Sequence, residues 1–156
     1  MKLFAALACV LAMAPAAGNA LAQQPPPPLQ PAIEEFAESM GAVVFAAGQM
    51  VIHARVCGGN ENVGHEMQRL AAERARQCAA ADTRVREIAD QTRTAFESML
   101  KNADAAIQRR GKDKICALYR SPDLQVEVAT ALEMGRQLAT DAGRERISRL
   151  PCPPKE

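Results

Sequence analysis

Of five cysteines, one, Cys9, lies in the N-terminal apolar run, and four, at positions 57, 78, 116 and 152, each stand at or near the end of a stretch patterned as a helix. Covalent links between helix ends leave few ways to arrange the helices, so the pairing is the strongest constraint on the fold. Four cysteines allow three pairings, and their spacing alone does not choose among them. The helices have to be placed first.

The first helix is expected over about Ala32 to Val56. Ile33, Phe36, Ala37, Met40, Val44, Ala47, Val51 and Ala54 recur at helical spacing. Glu34, Glu35 and Glu38 lie in its first turns, where the helix dipole favours anions. The middle, GAVVFAAGQMVI, is apolar nearly all round, which marks this as the most buried helix. Gly58-Gly59-Asn60 ends it. A second helix is expected over about Asn62 to Ala81, with Val63, Met67, Leu70, Ala71, Ala75 and Cys78 inward. A third runs from about Thr83 to Arg110, with Val85, Ile88, Ala89, Thr92, Ala95, Phe96, Met99, Leu100, Ala103 and Ile107 inward and Gly111 closing it. Only Asp82-Thr83 marks the break between these two. An unbroken helix over 62–110 would be about 73 Å long, too long for a compact domain of this size.

Lys112 to Arg120 reads as a helical turn or a loop. Ser121-Pro122-Asp123 has the order of an N-cap, a first-turn proline and an acid at the positive end of a dipole. It is expected to open a fourth helix with Leu124, Val128, Ala131, Leu132, Gly135, Leu138 and Ala139 inward, ending near Gly143, with Ile147 and Leu150 extending the packing. Trp is absent, Tyr119 is the single tyrosine and β-branched residues are sparse, which favours helix over sheet. Short connections make neighbours antiparallel. The expected fold is all-α, an up-down-up-down four-helix bundle.

In that topology Cys57 and Cys116 share one end and Cys78 and Cys152 the other. A bridge needs its α-carbons within about 7 Å, so the bundle expects Cys57–Cys116 and Cys78–Cys152. No C-x-x-C occurs, so the bridges read as structural rather than as redox centres.

The cysteines imply an oxidising compartment, and the N-terminus agrees. Lys2, the apolar run Leu3 to Ala14 and Ala20-Leu21-Ala22 have the form of a bacterial secretory signal, with Gln23 the expected mature N-terminus. Cys9 lies inside the apolar run, a poor position for lipidation. The run is shorter than the roughly 20 residues that span a bilayer. Residues 1–22 are thus expected to be removed, 23–31 (QQPPPPLQP) to be an extended spacer, 32–150 the bundle and 151–156 a stiff Pro/Cys tail. The expected destination is the periplasm or the exterior, with no integral membrane segment in the mature chain.

Function is harder to read. The signal removes Lys2 from 19 basic residues, leaving 18 against 18 acidic ones. Such a chain has no excess charge to draw it to nucleic acid or an anionic membrane, and few aromatic platforms for stacking on bases or sugars. No haem-attachment, H-E-x-x-H, G-x-S-x-G or phosphate-loop motif is present. Ser39, Ser98, Ser121 and Ser148 have no nucleophile context. Carboxylates alternate with arginine, as in Glu73-Arg74, Arg86-Glu87 and Glu145-Arg146, in the manner of solvated ion pairs. Met50, His53, His65, Met67, Met99 and Met134 could in principle supply a soft-metal or haem site, although methionine at helical spacing more often fills a core. The expectation is a non-enzyme without cofactor that binds an unidentified protein partner or serves the cell envelope structurally. The alternative is a metal- or haem-binding bundle. An exported four-helix bundle resembles secretin pilots in architecture only.

Two stretches resemble an uncharacterised family of small exported helical proteins of alphaproteobacteria. Gly48, Met50, Val56 and Cys57 fit G-x-[LM]…[LV]-C. Leu132, Glu133, Gly135, Leu138, Ala139 and Asp141 fit L-[DE]-x-G-x-x-[IL]-A-x-D. The resemblance implies a second cysteine between helices three and four, where Cys116 stands, and implies no activity. Cys78 and Cys152 depart from it.

Overall fold

The computed structural model describes residues 29–79 and 83–154. The signal segment, most of the spacer (23–28), the interval 80–82 and the last two residues lie outside the described residues. Every regular element among the described residues is helical: α1 Leu29–Cys57, α2 Asn62–Ala79, α3 Thr83–Arg110, α4 Lys112–Tyr119, α5 Val126–Leu138 and α6 Asp141–Ser148.

Helix α1 begins three residues before the expected start, inside the Pro-rich segment. Pro31 sits in its first turn, where a missing N–H breaks no intrahelical bond. Gly58 and Gly59 then take φ of 87° and 145°, backbone that side chains rarely adopt, and the helix stops there as expected. Helix α2 is described to Ala79 and α3 from Thr83, and the expected turn near Ala81 to Thr83 falls on the interval outside the described residues. Gly111, φ 83°, closes α3, its N–H donating to the Ile107 carbonyl at 2.8 Å. Lys112 onward is a full helix, α4.

The expected fourth helix is corrected in two places. Ser121-Pro122-Asp123 does not start it. Ser121 Oγ accepts from the Asp123 N–H and the Ser121 carbonyl accepts from the Leu124 N–H, which closes a turn, and α5 begins only at Val126. The helix also breaks at Thr140, whose hydroxyl oxygen accepts from the Gly143 N–H and so caps a separate α6. Gly143 is therefore not a terminator. It is buried at the corner, where a Cβ would meet the Leu138 backbone at 2.5 Å. Among the described residues six helices stand where four were expected.

Helix α1 is the hub, packed against α2, α3, α4 and α5, while α6 lies on α2 and α5. Met40, Ala46, Ala47, Val51, Met67, Ala71, Ala75 and Val85 form the most buried part of the core. Gly48 and Arg55 of α1 meet Met99 and Asp104 of α3 in the same order, so these two helices run the same way. Arg144 near Glu66 and the Leu150 carbonyl on Arg74 give α6 and α2 a common direction. By length and composition α1 could cross a membrane, but more than half of its apolar window is buried inside the fold.

Two cysteine pairs are at disulfide distance. Cys57–Cys116 ties the end of α1 to α4 with α-carbons 5.0 Å apart. Cys78–Cys152 ties the end of α2 to the tail with α-carbons 5.2 Å apart. These are the pairs that the helix ends implied.

Candidate functional site

The residues singled out as possible ligands are spread over separate packing roles. Met67 is fully buried in the core. Met99 lies over Gly48, where a Cβ would come within 3.0 Å of its Cε, and Met50 lies over Gly135, where a Cβ would come within 2.9 Å of its Sδ. Met134 packs partly exposed against the core. His65, on α2, is exposed and meets Phe96 edge-on with ring centroids 5.7 Å apart. His53, on α1, meets Tyr119 of α4 edge-on at 5.5 Å. Among the described residues no three His, Cys, Asp or Glu side chains gather as a metal would require.

The two stretches behind the family resemblance touch one another. Met50 belongs to the first and Gly135 to the second, and the missing side chain at 135 lets α5 close on α1. The motif residues thus mark a helix crossing, with Cys57 anchoring the same helix a few residues on.

Beside that crossing is a small polar cluster. The Tyr119 hydroxyl donates to Gln49 Oε1 at 2.7 Å, and Gln49 Nε2 approaches Met99 Sδ at 3.8 Å. Gln49 is the one buried polar side chain among the described residues, and no buried side-chain polar atom lacks a partner. Burial pushes the Tyr119 phenol up to about 12, so the hydroxyl stays protonated and keeps donating. Partial burial, then the charges of Arg136 and Arg120, hold the His53 imidazole below its ordinary range. The folded chain therefore takes up a proton at His53 less readily than the unfolded chain. This contribution to stability is intact above about pH 6.5 and declines as pH falls from there toward the lowered folded value. Thermal unfolding followed between pH 7.5 and 5 should show a shallow decline that His53→Gln removes.

Arg55 holds the loop beside this end of the bundle. It donates to Glu61 at 2.8 and 3.1 Å and pairs with Asp104 of α3. The Arg55 hydrogen bond draws the Glu61 carboxyl below its usual range. The candidate serines do not join a histidine. Ser98 is exposed on α3, Ser121 closes its turn, Ser148 donates to the Arg144 carbonyl, and Ser39 lies on another face of the molecule.

That other face holds a concavity that the periodicity did not reveal. A groove of about 650 Å³ runs between α1 and the α5–α6 pair. Its floor is Ser39, Ala42 and Val43; Thr130, Met134 and Leu138 form one wall, and Ile147 and Leu150 the other. It continues past Phe45 to Val126, which is 74% exposed, and at the opposite end past Phe36 to the Pro151–Pro153 tail. Ala42 of α1, small and exposed, leaves its middle open. The lining is apolar with hydroxyl, amide and charged groups at the rim, suited to holding an apolar surface. No protein-family model, no curated protein and no solved structure matches this chain.

Proposed function

We propose that this chain is a non-catalytic, exported helical protein that binds another protein through the groove between α1 and the α5–α6 pair. The observation that carries the reading is an open apolar trough on a domain whose remaining apolar side chains mostly face the core. The cysteine pairs and the Ala20-Leu21-Ala22 site support a periplasmic or secreted location. We read the six helices as an up-down-up-down bundle whose last member is broken at Thr140, because α1 matches α3 in direction and α2 matches α6. Membership of the exported alphaproteobacterial family is proposed on the Met50–Gly135 crossing and on Cys57 and Cys116.

The test is site-specific photo-cross-linking in cells that export the protein. A cross-linker at position 42 should give a discrete adduct with one envelope protein. The same group at position 98, exposed on α3, should give none. Identical adducts from both positions, or none from position 42, would overturn the reading. The metal- or haem-binding alternative is decided by visible absorption and metal content of protein purified from the same compartment.

A further inference from the structure

The charges along the groove narrow the chemistry of what it takes, an inference that rests on the protein-binding reading above. Three charged residues beside it have no ion-pair partner among the described residues. Glu35 stands at the end near the tail, Glu127 at the end near Val126, and Arg146 on the α6 side between them. Glu133, also on the rim, is already held by Arg136 at 3.0 Å. The free pattern is therefore acid, base, acid along one trough. Along α1 the groove extends from about Glu35 to Phe45, roughly 15 Å or three helical turns at 1.5 Å per residue. Exposed Ala42 at its middle lets another backbone come close. Among the described residues there is no strand whose edge could accept an added strand, so docking by helix in groove is the mode that fits.

We propose that the occupant is an amphipathic helix of another protein, about three turns long, with Lys or Arg at both ends of its apolar stripe and a carboxylate between them. The end cations face Glu35 and Glu127, and the central carboxylate faces Arg146. A second copy of this chain does not suit the site. Its most apolar helix is α1, which is already covered by its own fold.

The test uses the full mature chain and two labelled 15-residue peptides with the same leucine stripe. One carries Lys at both ends and Glu in the middle; its twin has every charge reversed. Fluorescence anisotropy at low salt should show the first binding about fivefold more tightly, since exposed ion pairs are each weak. The preference should fade at 0.5 M salt, where the Debye length is short. The E35K/E127K/R146E triple variant should invert the order, and Ala42→Glu should abolish binding of both peptides. Equal binding of the two peptides, or an order unchanged in the triple variant, overturns the charge assignment. If Ala42→Glu still abolishes binding in that case, the groove itself stands. Binding of both peptides that is unaffected by Ala42→Glu overturns the groove as their site. Failure of both to bind, alongside a discrete adduct from position 42, overturns only the helix chemistry. A concentration-dependent dimer disrupted by Ala42→Glu would put a second copy in the groove and overturn the proposal.

Discussion

Replacing Cys78 and Cys152 with alanine should lower the thermal midpoint by about 15 °C, with the protein still helical at 25 °C. The bridge closes a loop over a sequence separation of 74. In the chain-entropy model a loop of that size contributes roughly 4 kcal/mol by restricting the unfolded chain. A domain of this length loses about 4 °C of midpoint per kcal/mol. The core cannot easily absorb the loss, because Ala46, Ala47, Ala71 and Ala75 form much of its centre and each buries little surface. The Cys57–Cys116 pair spans 59 residues and should be worth nearly as much. Removing both, about 8 kcal/mol together, leaves no net stability if the intact domain lies in the lower half of the usual range of about 5–15 kcal/mol. Calorimetry of each double variant checks the values. A change under about 3 °C for Cys78→Ala/Cys152→Ala would show that the fold does not rely on this bridge.

Gly64→Ala should cost about 2–3 kcal/mol, as for other forced overpacking of a close contact. Helix propensity alone predicts the opposite sign, a gain of about 1 kcal/mol. The difference lies in what the new methyl meets. At position 64 it falls on the Ala47 carbonyl oxygen, 2.6 Å from Val51 Cγ2 and 3.2 Å from the Val51 nitrogen. Those are backbone and β-branched atoms of the hub helix, so α2 must move off α1 to make room. Gly48→Ala is the control. Its methyl meets only the thioether end of Met99, which can swing aside. That variant should stay within about 1 kcal/mol of the parent. Urea denaturation of the two variants side by side measures the contrast. A Gly64→Ala protein as stable as the parent would mean the α1–α2 approach is looser than described.

Helix positions and cysteine pairing were legible because one rule governs both. Apolar spacing places the helices, and the rule that short connections reverse direction predicts which cysteines share a pole. The broken fourth helix was not legible. Thr140 reads as an ordinary helical residue until the chain turns and its hydroxyl finds the Gly143 N–H. Ser121-Pro122-Asp123 carries a helix-start signature that a β-turn satisfies equally well, since both need an oxygen to meet a nearby N–H. Gly135 and Gly143 looked like members of an inward stripe and a terminator. Both are sites of close approach, which depends on a partner distant in sequence. The groove was hidden for a related reason. Periodicity measures the width of an apolar face on α1, and says nothing about how much of that face the other helices reach. Helical spacing aligns Met50 and His53 along α1, but where His65 and Met67 come to lie, against Phe96 and in the core, depends on packing between helices.

The two covalent links interleave along the chain, 57 with 116 and 78 with 152. A protease that cuts once at any bond between residues 57 and 152 therefore releases no fragment. Whichever bond is severed, at least one link still crosses the nick, so the clipped molecule migrates at full size until a reductant is added.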